Sequence, residues 1–92
     1  MVRKFRKKPV VIEAVQFTGD NLPEIIRFIG VDEFYGTLVI ARGGMLVRTV
    51  RIDTSEGTVL ADPQDWIIKG TKGEFYPCKP DIFAEIYEEV KE

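Results

Sequence analysis

Between residues 62 and 81 the chain reads DPQDWIIKGTKGEFYPCKPD, where turn formers, three aromatics and alternating charge share one short unit. Asp62-Pro63-Gln64-Asp65 bends the chain. Trp66-Ile67-Ile68-Lys69-Gly70 and Gly73-Glu74-Phe75-Tyr76-Pro77 then predict a hairpin around Thr71-Lys72. Trp66 and Ile68 fall on one face and Ile67 on the other, with Lys69 and Lys72 near the tip. The unit reads as a displayed hairpin.

The rest of the chain supplies further strands and two short helices. Val10-Val11-Ile12-Glu13-Ala14-Val15-Gln16-Phe17 is apolar on both alternating faces, which predicts a central strand covered on two sides. Glu13 is the exception, and a carboxylate there is expected to be paired or to sit at an opening. After the turn Thr18-Gly19-Asp20, Asn21-Leu22-Pro23-Glu24 predicts a helix start with Asn21 as cap and Pro23 in the first turn. Leu22, Ile25, Ile26 and Ile29 form its apolar stripe and Gly30 its stop. A loop over residues 31–36 leads to Thr37-Leu38-Val39-Ile40-Ala41 and Met45-Leu46-Val47-Arg48-Thr49-Val50-Arg51-Ile52, two strands joined through Arg42-Gly43-Gly44. Thr58-Val59-Leu60-Ala61 returns after a turn at Glu56-Gly57. Pro80-Asp81 opens a final helix with Ile82, Phe83, Ile86 and Tyr87 at helical spacing. The expected architecture is α+β: a mostly antiparallel sheet of about five strands with two short helices packed on it.

Composition sets the class. At 92 residues the chain is a single domain, with one modest core, so a homo-oligomer is expected as a way to bury more surface. One cysteine, Cys78, excludes an internal disulfide, and the absence of histidine argues against the usual zinc and iron sites, so no metal or cofactor is expected. The longest apolar runs are far shorter than a membrane span and no signal peptide follows the basic start, which predicts a cytoplasmic protein with no membrane partner. Five of the 13 basic residues (Arg3, Lys4, Arg6, Lys7, Lys8) form an N-terminal arm over residues 1–8, while Asp81, Glu85, Glu88, Glu89 and Glu92 acidify the other end. The arm reads either as a phosphate contact or as a solubilising, partly frayed terminus, and the second is the commoner outcome.

Chemistry-bearing residues are few. Leu46, Val50 and Ile52 share a strand face with Arg48, while Val47, Thr49 and Arg51 share the other. At least one arginine therefore projects from a partly apolar surface. Arg48 reads as a guanidinium lining an anion pocket or as a salt bridge to Glu13 or another internal acid. Without histidine, acid/base work falls to carboxylates, lysines or tyrosines. Cys78 has no base to activate it and reads as a small buried hydrophobe. Asp62 and Asp65 read as turn caps ahead of an acid/base or magnesium pair.

The string DWIIKGTKGEFYPCKPDIF, with KFRKKPVVIEAVQFTGDN at the start, resembles a family of small uncharacterised proteins of tailed bacteriophages and prophages. Pro63-Gln64-Asp65 stands where members carry Pro-Gly-Asp, so a turn of a different type is expected here. The resemblance implies a phage accessory role in the host cytoplasm and brings no catalytic residues with it. The expectation is a non-catalytic binder of a small anionic, nucleotide-like ligand, which would sequester a host immune signal. Arg48, Arg51 and Lys69 would lie on the phosphates, and Trp66 or Tyr76 on the base. The alternative is an interaction module that inhibits or redirects a host protein through Trp66, Phe75 and Tyr76, with lysines at the rim. Nucleic-acid binding through the basic arm is a weaker third.

Overall fold

Residues 62–65 mark the point where the chain passes from one sheet to another. The computed structural model describes residues 1–6 and 8–91, with Phe34 described by its backbone alone. Lys7 of the basic arm and Glu92 of the acidic end lie outside the described residues. The elements are β1 (Glu13–Gln16), α1 (Leu22–Ile29), the single turn α2 (Glu33–Gly36), β2 (Thr37–Arg42), β3 (Met45–Thr54), β4 (Gly57–Ala61), β5 (Trp66–Lys69), β6 (Phe75–Cys78) and α3 (Pro80–Ile86). Two three-stranded antiparallel sheets result, ordered β1-β5-β6 and β2-β3-β4.

The α+β class and the antiparallel pairing agree with expectation, but a single sheet of about five strands does not. The reason is local. Pro63 has no N–H to give a ladder and Gln64 takes φ 82°, so β4 cannot run on into β5. The Asp65 N–H closes the turn on Asp62 O at 3.0 Å, and the Phe17 N–H donates to Asp65 O at 2.9 Å. With proline second and a positive φ third, the turn has type II character.

Two strand expectations change with it. β1 is an edge strand of four residues, not a central one covering residues 10–17. Its register runs from Glu13 opposite Lys69 to Gln16 opposite Trp66, and β5 ends there, so Val10, Val11 and Ile12 overshoot the sheet. Glu13 is exposed and Arg48 stands on the other sheet, so the expected ion pair between them is not formed. The β2–β3 hairpin matches expectation: Gly43 and Gly44 take φ 58° and 80°, the two positive values that a type I′ turn requires.

The core lies between one face of β1-β5-β6 and the proximal half of β2-β3-β4, closed by α1. Phe17, Leu22, Ile25, Val50, Ile52, Ala61 and Ile67 form it, with Val15, Phe28 and Phe75 packed against it. Each fully buried Phe or Ile there contributes about 1.5–3 kcal/mol, and these residues carry the stability of the domain. Asn21 precedes α1 but does not cap it; its Oδ1 accepts from the Thr18 N–H at 2.8 Å and its Nδ2 donates to Gln16 O at 2.7 Å. It ties the end of β1 to the helix instead. On the outer face of β5, Trp66 stacks on Phe83 with centroids 4.2 Å apart, and Phe83 meets Tyr87 at 4.9 Å, seating α3. Ile82 and Ile86 stay exposed, so only half of the expected apolar stripe packs.

Gln64 holds a left-handed conformation that disfavours side chains. We predict that Gln64→Gly leaves stability unchanged or raises it by up to about 1 kcal/mol, while Gln64→Val lowers it by about 1–2 kcal/mol. Urea denaturation measures both, and a clear loss from the glycine variant would contradict this account of the turn.

Candidate functional site

Asp32 begins the site. Its Oδ1 accepts from the Tyr35 N–H at 2.8 Å and caps α2, the turn that carries Glu33 and Tyr35. Gly36 closes that turn against α1. A Cβ there would stand 2.7 Å from Ile26 Cδ1 and 2.9 Å from Val31 Cγ2, so a larger residue would make these side chains shift. The Tyr35 ring lies beside β3, where its hydroxyl donates to Asp53 Oδ2. Asp53 Oδ1 accepts from Thr58 Oγ1 at 2.8 Å. The Tyr35 hydroxyl, then Thr58, hold the Asp53 carboxyl below its usual range, and the same bond to Asp53 raises the Tyr35 phenol.

Fixed in this way, Tyr35 supports Arg51, whose guanidinium carbon lies 5.1 Å from the ring centroid. A concavity of about 740 Å3 opens beside them, lined by Glu33, Tyr35, Thr37, Leu38, Arg48 and Arg51. Thr37 and Leu38 are neighbours on β2, and Arg48 and Arg51 leave β3 on opposite faces. The concavity therefore wraps the free edge of β2. Two guanidiniums face one lining carboxylate, which leaves the wall with a positive excess. Within this wall Arg51 Nε and Thr37 Oγ1 are buried without a hydrogen-bond partner. Leaving such groups unmade costs about 1–3 kcal/mol each.

The five residues singled out in the sequence do not form one cluster. Arg48 and Arg51 come together. Trp66 is engaged with Phe83, and Lys69 lies 6.0 Å from the centroid of the Phe75 ring on the other sheet. Tyr76 lines a second concavity of about 390 Å3 with Val10, Ile86 and Tyr87. Burial first, then its hydrogen bond to Tyr87, push the Tyr76 phenol up to about 12. The aromatic beside the arginines is Tyr35, which sequence reasoning missed by reading residues 31–36 as a loop. The available signal was Asp32 three residues ahead of Tyr35, the spacing of a capped turn.

The carboxylates considered for acid/base work are paired with cations, although Asp62 Oδ1 is buried without a hydrogen-bond partner. Arg42 Nη1 lies 2.7 Å from Asp62 Oδ2, and Lys79 Nζ lies 3.3 Å from Asp62 Oδ2 and 3.1 Å from Asp65 Oδ2. Burial, then the charges of Asp65 and Asp81, push the Cys78 thiol up and keep it protonated. Among the described residues no group of three or more Cys, Asp or Glu side chains is placed to hold a metal ion, and no helix is long and apolar enough to cross a membrane. No family model, curated protein or solved structure matches the chain.

The hydrogen bond from Arg42, then that from Lys79, hold the Asp62 carboxyl below its ordinary value of 3.8 against the opposing effect of burial. The stabilisation is complete above that ordinary value and is lost as pH falls through the lowered folded value. Asp62→Asn is therefore expected to cost about 1 kcal/mol at neutral pH, both cations being half-exposed, and progressively less in acid. Denaturation measured across pH checks this; a difference that stays constant into strong acid would contradict it.

Proposed function

We propose that this chain is a non-catalytic binder of a small anionic, nucleotide-like molecule held in the concavity along β2. The observation that carries the reading is the pair of buried polar groups without partners, Arg51 Nε and Thr37 Oγ1, in a wall that also holds Arg48. A guanidinium fork suits a phosphate or carboxylate, and Arg51 is already oriented by the ring beneath it. The face of Tyr35 not used by Arg51 is the natural seat for a base or other flat group.

The chemistry of the rest of the chain agrees with binding rather than turnover. There is no histidine, the Cys78 thiol is raised, and Asp62 and Asp65 are neutralised by Arg42 and Lys79. The resemblance of both chain ends to small tailed-phage and prophage proteins supports an accessory role. In that role the molecule is a host signal, withheld and not converted. Lys69, Trp66 and Tyr76, on the other sheet, take no part in this site. The interaction-module alternative loses its displayed cluster, because Trp66, Phe75 and Tyr76 are half-buried and Trp66 and Phe75 pack on rings within the chain.

Incubation with a bacterial cytosolic extract followed by native mass spectrometry tests the reading. The wild-type chain is expected to carry a small molecule that heat releases. Arg48→Ala and Arg51→Ala are each expected to weaken its retention by about 10- to 100-fold while leaving the fold intact. Undiminished retention by the double variant would overturn the assignment.

A further inference from the structure

The two guanidiniums of the concavity along β2 belong to different faces of one sheet. Strand pairing sets Val39 opposite Arg48 and Thr37 opposite Val50, so Thr37, Val39, Arg48 and Val50 share the core-side face. Leu38, Thr49 and Arg51 share the other, where the Tyr35 ring supports the Arg51 guanidinium. Both arginines nevertheless line the same concavity of about 740 Å3, which passes around the edge of β2.

Each face carries one guanidinium and one unsatisfied polar group. On the Tyr35 side the buried Arg51 Nε has no hydrogen-bond partner, and on the Arg48 side the buried Thr37 Oγ1 has none. Thr37 is the diagonal cross-strand neighbour of Arg48, within reach of a long side chain. Arg48 itself is exposed and forms no salt bridge with a described residue. Three steps along β3 set the Cα atoms of Arg48 and Arg51 about 10 Å apart, with the sheet between their side chains. A single phosphate, held through charge-assisted bonds of about 2.7–2.9 Å, reaches one fork and not both. Along β2 the stretch between the two levels is Thr37-Leu38, which carries no charge. A phosphate seated there would lose water without gaining a cation.

Building on the anion-binding reading of this site, on which it rests, we infer that the ligand carries two phosphoryl groups set apart by a sugar. It is a molecule of the nucleoside 3′,5′-bisphosphate kind and not one with a single contiguous polyphosphate chain. One phosphoryl group seats on Arg51, where Nε–H donates to it. The other seats on Arg48, with the Thr37 hydroxyl donating to a second oxygen. The uncharged sugar passes over the β2 edge at Leu38. The order of the wall, cation then neutral strand edge then cation, is thereby matched by phosphate, sugar and phosphate in the ligand.

Titration calorimetry of the full chain with adenosine 3′,5′-bisphosphate and adenosine 5′-diphosphate tests it, the two probes having the same base and the same number of phosphates. The wild-type chain is expected to bind the bisphosphate about 10-fold or more tightly than the diphosphate. Arg48→Ala is expected to bring the two affinities within about twofold of each other, and Thr37→Val to narrow the gap. Because Arg48 is exposed, its variant keeps the wild-type circular dichroism spectrum. Arg51→Ala is expected to weaken both nucleotides by about 10-fold or more. Equal wild-type affinity for the two probes, with Arg51→Ala still weakening both, would overturn the separated phosphates and leave the anion site standing. So would an Arg48→Ala variant that keeps the full preference. Binding of neither probe, or binding that Arg51→Ala leaves unaltered, would overturn the anion site and this inference with it.

Discussion

The four residues Asp62, Pro63, Gln64 and Asp65 are the junction on which the arrangement depends. Their backbone receives the end of β1 through Phe17, and the Asp65 side chain accepts from the Asp62 N–H at 2.9 Å. Their carboxylates gather Lys79 from the entrance to α3 and Arg42 from the end of β2. Five parts of the chain thus meet in one turn. The ion pairs are individually modest, because Arg42 and Lys79 are half-exposed, and apolar burial supplies most of the stability. What the junction contributes is direction. It sends β5 into a different sheet from β4, and the two sheets then close on Phe17, Ile25, Ile52 and Ile67.

That division has a consequence for function. Because β2-β3-β4 is anchored only at its proximal half, its far half and the free edge of β2 are left open. The α2 turn fills part of the opening and brings Tyr35 beside β3, where it orients Arg51. The resulting wall is polar in an unequal way. The carboxylate of Asp53 is spent on Tyr35 and Thr58, whereas Arg51 Nε and Thr37 Oγ1 have no partner. These charges and unsatisfied groups are the observations on which the proposal of an anionic ligand rests.

Local elements were readable from the residues because local chemistry decides them. Gly43-Gly44 can make one tight hairpin turn, Pro23 and Gly30 bracket α1, and period-two alternation on β3 placed Arg48 and Arg51 on opposite faces as observed. The division into two sheets was harder, since it depends on Gln64 adopting a positive φ that its side chain disfavours. Hydrogen bonds from residues distant in sequence sustain it. The placement of Trp66, Lys69 and Tyr76 failed for a related reason: the same sheet division sets their hairpin apart from the two arginines. Tyr35 was hidden because a one-turn helix has too few residues to show a period. Glu13 lies on an edge strand and not a central one, and that exposed position removes the need for a partner.

Nitrogen-edited NMR observation of the Arg51 Nε–H group tests the central claim most directly, because that group is the unpaired donor at the centre of the site. On titration with a nucleoside diphosphate the signal is predicted to move downfield and to exchange more slowly with solvent, as a donor that gains an anionic acceptor does. An unchanged Arg51 signal, with the nucleotide bound and other resonances shifting, would place the ligand elsewhere and contradict the account.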